Sequence, residues 1–76
     1  MKEVLQTIIE SLVEEKDKIQ INEVNGEKSV VFEVRVAQSD MGRVIGREGK
    51  IAKAIRTLFK AVSSKEHKRV TIEFLD

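Results

Sequence analysis

Two glycines three residues apart, Gly46 and Gly49, cut what would otherwise read as one helical pattern from Met41 to Val62. Glycine has no Cβ, so the chain can turn sharply there and another group can come close to the main chain. Before the pair, Met41, Val44 and Ile45 are spaced for a short helix that stops at Gly46. After it, Ile51, Ala54, Ile55, Leu58, Phe59 and Val62 form one apolar stripe at about 100° per residue, predicting a second helix that starts near Gly49 or Lys50. Lys50, Lys53, Arg56, Thr57 and Lys60 fall on the opposite side of it. The N–H groups that open this helix point at the turn, where the helix dipole favours negative charge.

The rest of the chain supplies a sheet for these helices to cover. Val4, Leu5, Ile8, Ile9, Leu12 and Val13 recur at helical spacing and predict a first helix over about residues 2–15. Ile19 and Ile21, then Val30, Phe32, Val34 and Val36, alternate as strands around Asn25-Gly26, a strong two-residue hairpin signal. If those two residues form the loop, Ile21 faces Val30, Ile19 faces Phe32, Lys18 faces Glu33 and Glu23 faces Lys28. Ser39 or Asp40 is placed to cap the short helix. Ser63 to His67 reads as a polar loop, and Val70, Ile72 and Phe74 alternate in a closing strand. The order α-β-β-α-α-β predicts an α+β domain. Its three-stranded sheet is mixed, because the helix pair is a long enough crossover to return the last strand parallel to a hairpin strand. Three helices cover one face of that sheet.

Seventy-six residues make one domain, taken as residues 1–76. There is no cysteine, so disulfides and thiolate chemistry are excluded. No apolar run reaches the roughly 18 residues of a membrane span, and the N-terminus carries no signal-peptide pattern, so a soluble cytoplasmic protein without membrane contact is expected. Net charge is only +1, but it is unevenly spread: residues 1–38 hold 5 basic and 8 acidic side chains, residues 39–76 hold 9 and 5. Between Met41 and Val62 stand six bases (Arg43, Arg47, Lys50, Lys53, Arg56 and Lys60) and one acid, Glu48. The positive charge lies around the glycine pair, where it can attract a polyanion.

Several chemistries use a glycine turn before a helix. The nucleotide P-loop needs a glycine five before Gly49 and Ser or Thr after Lys50; the chain has Val44 and Ile51. The dinucleotide fingerprint needs a glycine two before Gly46, again Val44, and a strand before it. What remains is helix–G-x-x-G–helix. Val44-Ile45-Gly46-x-x-Gly49-Lys50-Ile51, inside an α-β-β-α-α-β chain, resembles the KH domain, whose G-x-x-G loop clamps a short single strand. The element order is that of the type II KH domain. The run from Asp40 to Gly46 and on through Ala52 to Arg56 is similar to the small free-standing bacterial members, the KhpA family of RNA-binding proteins.

The resemblance implies a set of RNA-binding residues. Gly46, Arg47, Glu48 and Gly49 would form the clamp, with Arg47 reaching a phosphate. Lys50 and Lys53 would hold phosphates from the next helix and Arg43 from the previous one. Glu48 is a departure: its carboxylate repels phosphates, so it points to solvent or pairs with a neighbouring cation. Val44 and Ile45 would be shared between core and base groove, and the hairpin's second strand would be the groove's other wall. Gly42 would either let the strand pass or make a tight helix contact. Lys65, Lys68 and Arg69 border the groove in such domains.

The resemblance further implies a homodimer, or a heterodimer with a larger KH-containing protein of the KhpB (Jag/EloR) type. It also implies a role as post-transcriptional regulator or RNA chaperone in cell elongation and division. The contrasting reading is a dimerisation or adaptor domain with a vestigial groove. His67 lacks partners at ligand spacing, Phe32, Phe59 and Phe74 lie on apolar faces, and no acid pair or nucleophile set is in place. No catalytic residue, metal or cofactor is expected.

Overall fold

The computed structural model describes residues 1–75. Helix α1 (Lys2–Leu12) leads into strands β1 (Gln20–Asn25) and β2 (Ser29–Arg35). The short helix α2 (Met41–Ile45), the long helix α3 (Lys50–Glu66) and strand β3 (Arg69–Leu75) follow, with single 3-10 turns at Lys16–Lys18, Gln38–Asp40 and Arg47–Gly49. The strands lie in the order β1-β2-β3, with β1 antiparallel and β3 parallel to the central β2. The α+β class, the element order and the mixed sheet agree with the expectation. No helix among the described residues is long and apolar enough to cross a membrane.

Alternation decides which face of the sheet is buried. Val30, Phe32, Val34 and Ile72 point under the helices and are buried. Leu5, Ile9 and Val13 of the N-terminal segment, Val44 of α2, and Ala52, Ile55 and Phe59 of α3 close over them. Phe32 and Phe59 meet as a tilted ring pair at 6.5 Å between centroids.

Four local expectations are corrected. The hairpin pairs Ile21 with Val34, Asn22 with Glu33 and Asn25 with Val30, four residues away from the predicted register. Neither Asn25 nor Gly26 has positive φ, so the type I′ turn that a two-residue Asn-Gly loop requires is not made. The loop is longer, closed by Gly26 N–H donating to Ser29 O at 2.7 Å. A slip of four leaves every side chain on its face, so the apolar pattern is satisfied in both registers. The charge pairs that favoured the other register lie at the surface, with Lys18, Glu23 and Lys28 exposed and Glu33 half-buried, and weigh little.

Helix α1 ends at Leu12, before the predicted Glu15, because the amides of Glu14 and Glu15 donate to the carboxylate of Asp40 at 3.1 and 3.0 Å. In a continued helix they would donate one turn back. Asp40 therefore does not cap α2 with its side chain. Helix α3 in turn runs through the predicted loop to Glu66. It ends where His67 takes a left-handed conformation (φ 58°, ψ 32°) and Lys68 N–H returns to Ser63 O at 3.2 Å, a Schellman-type closure. The Ser63 hydroxyl also donates to Lys68 O. Ser63 thus holds the helix end rather than opening a loop.

Candidate nucleic-acid interface

Helix α2 has five residues, too few to stand alone. It is anchored from both sides. Val44 is fully buried in the core. Asp40, with no exposed surface, ties its first residue to the end of α1 through the Glu14 and Glu15 amides. These two amides, with Arg43 adding to them, hold the Asp40 carboxyl below the usual carboxylate range. Arg43 Nη1 donates to Asp40 Oδ1 at 3.0 Å and to Ser39 O at 3.2 Å, and its Nη2 donates to Glu14 Oε1 at 2.7 Å.

The chain then leaves α2 through the glycine pair. Gly46 N–H closes the helix on Gly42 O at 2.9 Å. Gly46 itself has φ 77° and ψ 171°, a region open essentially to glycine alone. A Cβ there would lie 2.6 Å from Ile51 Cγ1 and 2.9 Å from the Ile51 backbone nitrogen. The turn is thus pressed against the start of α3. Glu48 (φ 57°, ψ 24°) and Gly49 (φ 73°, ψ 15°) follow in the left-handed region, and Gly49 N–H donates back to Gly46 O at 3.1 Å. The Arg47 and Glu48 amides come before this first bond of the turn, so they have no partner within it.

The predicted residues separate into three groups. Gly46, Arg47, Glu48, Gly49, Lys50 and Lys53 are brought together at one corner; Arg47, Glu48, Lys50 and Lys53 are exposed. Among the described residues, none of these four makes an ion pair, so Glu48 faces solvent and the three cations are uncommitted. Ile45 is half-buried and can be both core and surface, whereas Val44 is core alone. Arg43 stands apart, its guanidinium taken up by Asp40, Ser39 and Glu14. Sequence spacing could not show this, because Glu14 is 29 residues away.

Two further expectations are settled by geometry. A Cβ on Gly42 would meet nothing within 4 Å, so no tight core contact explains that glycine. Strand β2 is not positioned as a groove wall: it is the central strand, paired on both edges, with Val30, Phe32 and Val34 under the helices. The strand with a free edge beside α3 is β3. Arg56 spans that flank: its Nε donates to Ile72 O at 3.2 Å and its guanidinium lies 5.7 Å from the Phe74 ring centre. Periodicity put Arg56 on the exposed side of α3 but carried no sign of this contact.

The family model of the KhpA/KhpB KH domain matches residues 2–74. The chain belongs to the KhpA/KhpB family of KH domains. Relatives are similar end to end. The RNA-binding protein KhpA of Clostridium acetobutylicum is 53% identical over 75 residues, 99% of this chain and 100% of its own. Those of Borreliella burgdorferi and Aquifex aeolicus are 49% and 42% identical, over 97% and 100% of this chain and 90% and 96% of theirs. The type II arrangement expected of the KhpA/KhpB family is the one the chain adopts.

Proposed function

We propose that this chain binds single-stranded RNA, holding the backbone of about four nucleotides at Gly46–Gly49. The observation that carries the reading is the shape of that turn. Gly46 is jammed against Ile51, and Glu48 and Gly49 are left-handed. The open Arg47 and Glu48 amides are thereby flanked by the uncommitted cations Arg47, Lys50 and Lys53. A phosphate there meets N–H donors and positive charge together. Ile45 offers apolar surface beside the loop for a base. The relatives' name, RNA-binding protein, supports RNA over other polyanions. Arg43 is left out of the clamp because it is already bound to two carboxylates.

In this reading the chain is a binding module and not an enzyme. One small site binds weakly, so useful affinity comes from a second one. A homodimer supplies it, or a heterodimer with a KhpB-like (Jag/EloR) protein, as the family resemblance implies. The family resemblance supports cytoplasmic post-transcriptional regulation or RNA-chaperone work in cell elongation and division.

The test is the Arg47→Asp/Glu48→Asp double variant against a mixed single-stranded RNA pool, with circular dichroism to check the fold. Aspartate tolerates the left-handed conformation at 48, so the loop survives the change. Binding should fall by at least tenfold. Unchanged binding, or none by the parent chain, refutes the clamp. Matched RNA and DNA competitors decide the sugar.

A further inference from the structure

Beyond the loop, α3 carries more positive surface than a four-nucleotide clamp uses. Lys53, Thr57, Lys60 and Ser64 are all exposed and follow one another at intervals of three and four residues. That spacing lays them along one line of the helix surface. The line lies opposite the buried stripe of Ala52, Ile55 and Phe59. It begins beside Lys50, at the mouth of the clamp. Lys60 lies about 10 Å farther along the axis than Lys53, at about 1.5 Å rise per residue. Helix α3 has no acidic residue before Glu66. Among the described residues, neither Lys53 nor Lys60 makes an ion pair. Two hydroxyls interleave with the lysines, donors suited to phosphate oxygens. An acid one turn away would pair with an exposed cation on a helix; this row has none and is continuous with the loop.

From this we infer that α3 is a second backbone track, on which the RNA strand leaving the clamp continues with its phosphates on Lys60, Thr57 and Ser64. The inference rests on the RNA-binding reading above. The occupant is fixed by charge: a polyanion with regularly spaced phosphates, continuous with the strand held at Gly46–Gly49. The footprint then exceeds the four nucleotides of the clamp. Lys60 adds affinity without sequence preference, because it meets backbone and not base edges.

The test compares Lys60→Gln and Lys60→Glu with the parent on fluorescein-labelled random-sequence RNAs of five and twelve nucleotides. Lys60 is exposed, so the fold is retained. On the 12-mer, Lys60→Gln should lose roughly three- to fivefold, the size of one exposed ionic contact, and Lys60→Glu more. The log–log salt slope of Lys60→Gln on the 12-mer should be shallower by about 0.7. On the 5-mer both variants should match the parent. Comparing variant with parent at each length cancels the larger number of registers on the longer strand. Equal losses at both lengths would place Lys60 in the clamp, and no loss at either would leave α3 out of binding; both overturn the inference alone. A parent that binds neither RNA overturns the RNA-binding reading itself. A loss of similar size on the 12-mer from Lys2→Gln would make the effect one of net charge and also overturn the track.

Discussion

Alanine at the three glycines around α2 should separate three physical causes. At Gly46 two costs combine. The backbone (φ 77°, ψ 171°) is strained for any residue with a Cβ, about 1–3 kcal/mol. The new methyl also meets Ile51 at 2.6 Å, and the Ile51 backbone nitrogen at 2.9 Å sits in the first turn of α3 and cannot swing away. Overpacking of this kind costs about 1–3 kcal/mol, so Gly46→Ala should lose about 2–6 kcal/mol. At Gly49 (φ 73°, ψ 15°) the Cβ enters open space, and only the left-handed penalty of about 1–2 kcal/mol remains. At Gly42 nothing lies within 4 Å and the residue is helical, so alanine should stabilise by about 0.5–1 kcal/mol. A 76-residue domain has a total stability of about 4–11 kcal/mol, so Gly46→Ala threatens folding outright. Urea denaturation should give the order Gly42→Ala, parent, Gly49→Ala, Gly46→Ala from most to least stable, and thermal melts should shift by about 4–8 °C per kcal/mol. If Gly46→Ala costs no more than Gly49→Ala, the jam against Ile51 is not what shapes the turn.

Three other substitutions probe the scaffold behind the site. Asp40→Asn should lower the melting midpoint more than Glu10→Gln does, because it weakens the anchor shared by Glu14, Glu15 and Arg43. The Asp40 carboxyl titrates below the usual carboxylate range. Its contribution is therefore full above the ordinary pKa of about 3.9 and disappears as pH falls through the lower folded value. A pH series of melting curves should show the parent losing stability there and Asp40→Asn losing less. Phe59→Ala, which empties the centre of the core against Phe32, should cost about 3–5 kcal/mol, read as a shift in urea midpoint at unchanged slope. His67→Gly should stabilise by about 0.5–1 kcal/mol in the same assay, since the residue closing α3 has φ 58°.

The features legible in the sequence were those written in local spacing. Alternation at Val30, Phe32 and Val34 named the core face of the sheet, and Gly46 and Gly49 named the turn. The helical stripe named Ile55 and Phe59 as core but also took in Ala54 and Leu58, which are exposed, and passed over the buried Ala52. The hairpin register was not legible, because a shift of four residues keeps Ile21, Phe32 and Val34 on the same face. Asp40 read as a local helix cap because its true partners, the Glu14 and Glu15 amides, lie 26 and 25 residues back. The same distance hid the capture of Arg43 by Glu14. The central place of β2 is likewise a property of strand order. It becomes visible only once β3 has returned beside it.

If the Gly46–Gly49 turn, with its open amides and free cations, holds RNA, its own amides must sense the strand first. Amide chemical-shift mapping of the 15N-labelled chain, titrated with a single-stranded RNA of random sequence, tests it residue by residue. The largest shifts should fall at the amides of Gly46, Arg47, Glu48, Gly49 and Lys50, with smaller ones running into α3. Shifts confined to the open face of the sheet, around Asn22, Glu33 and Arg35, or no shifts at saturating RNA, would contradict it.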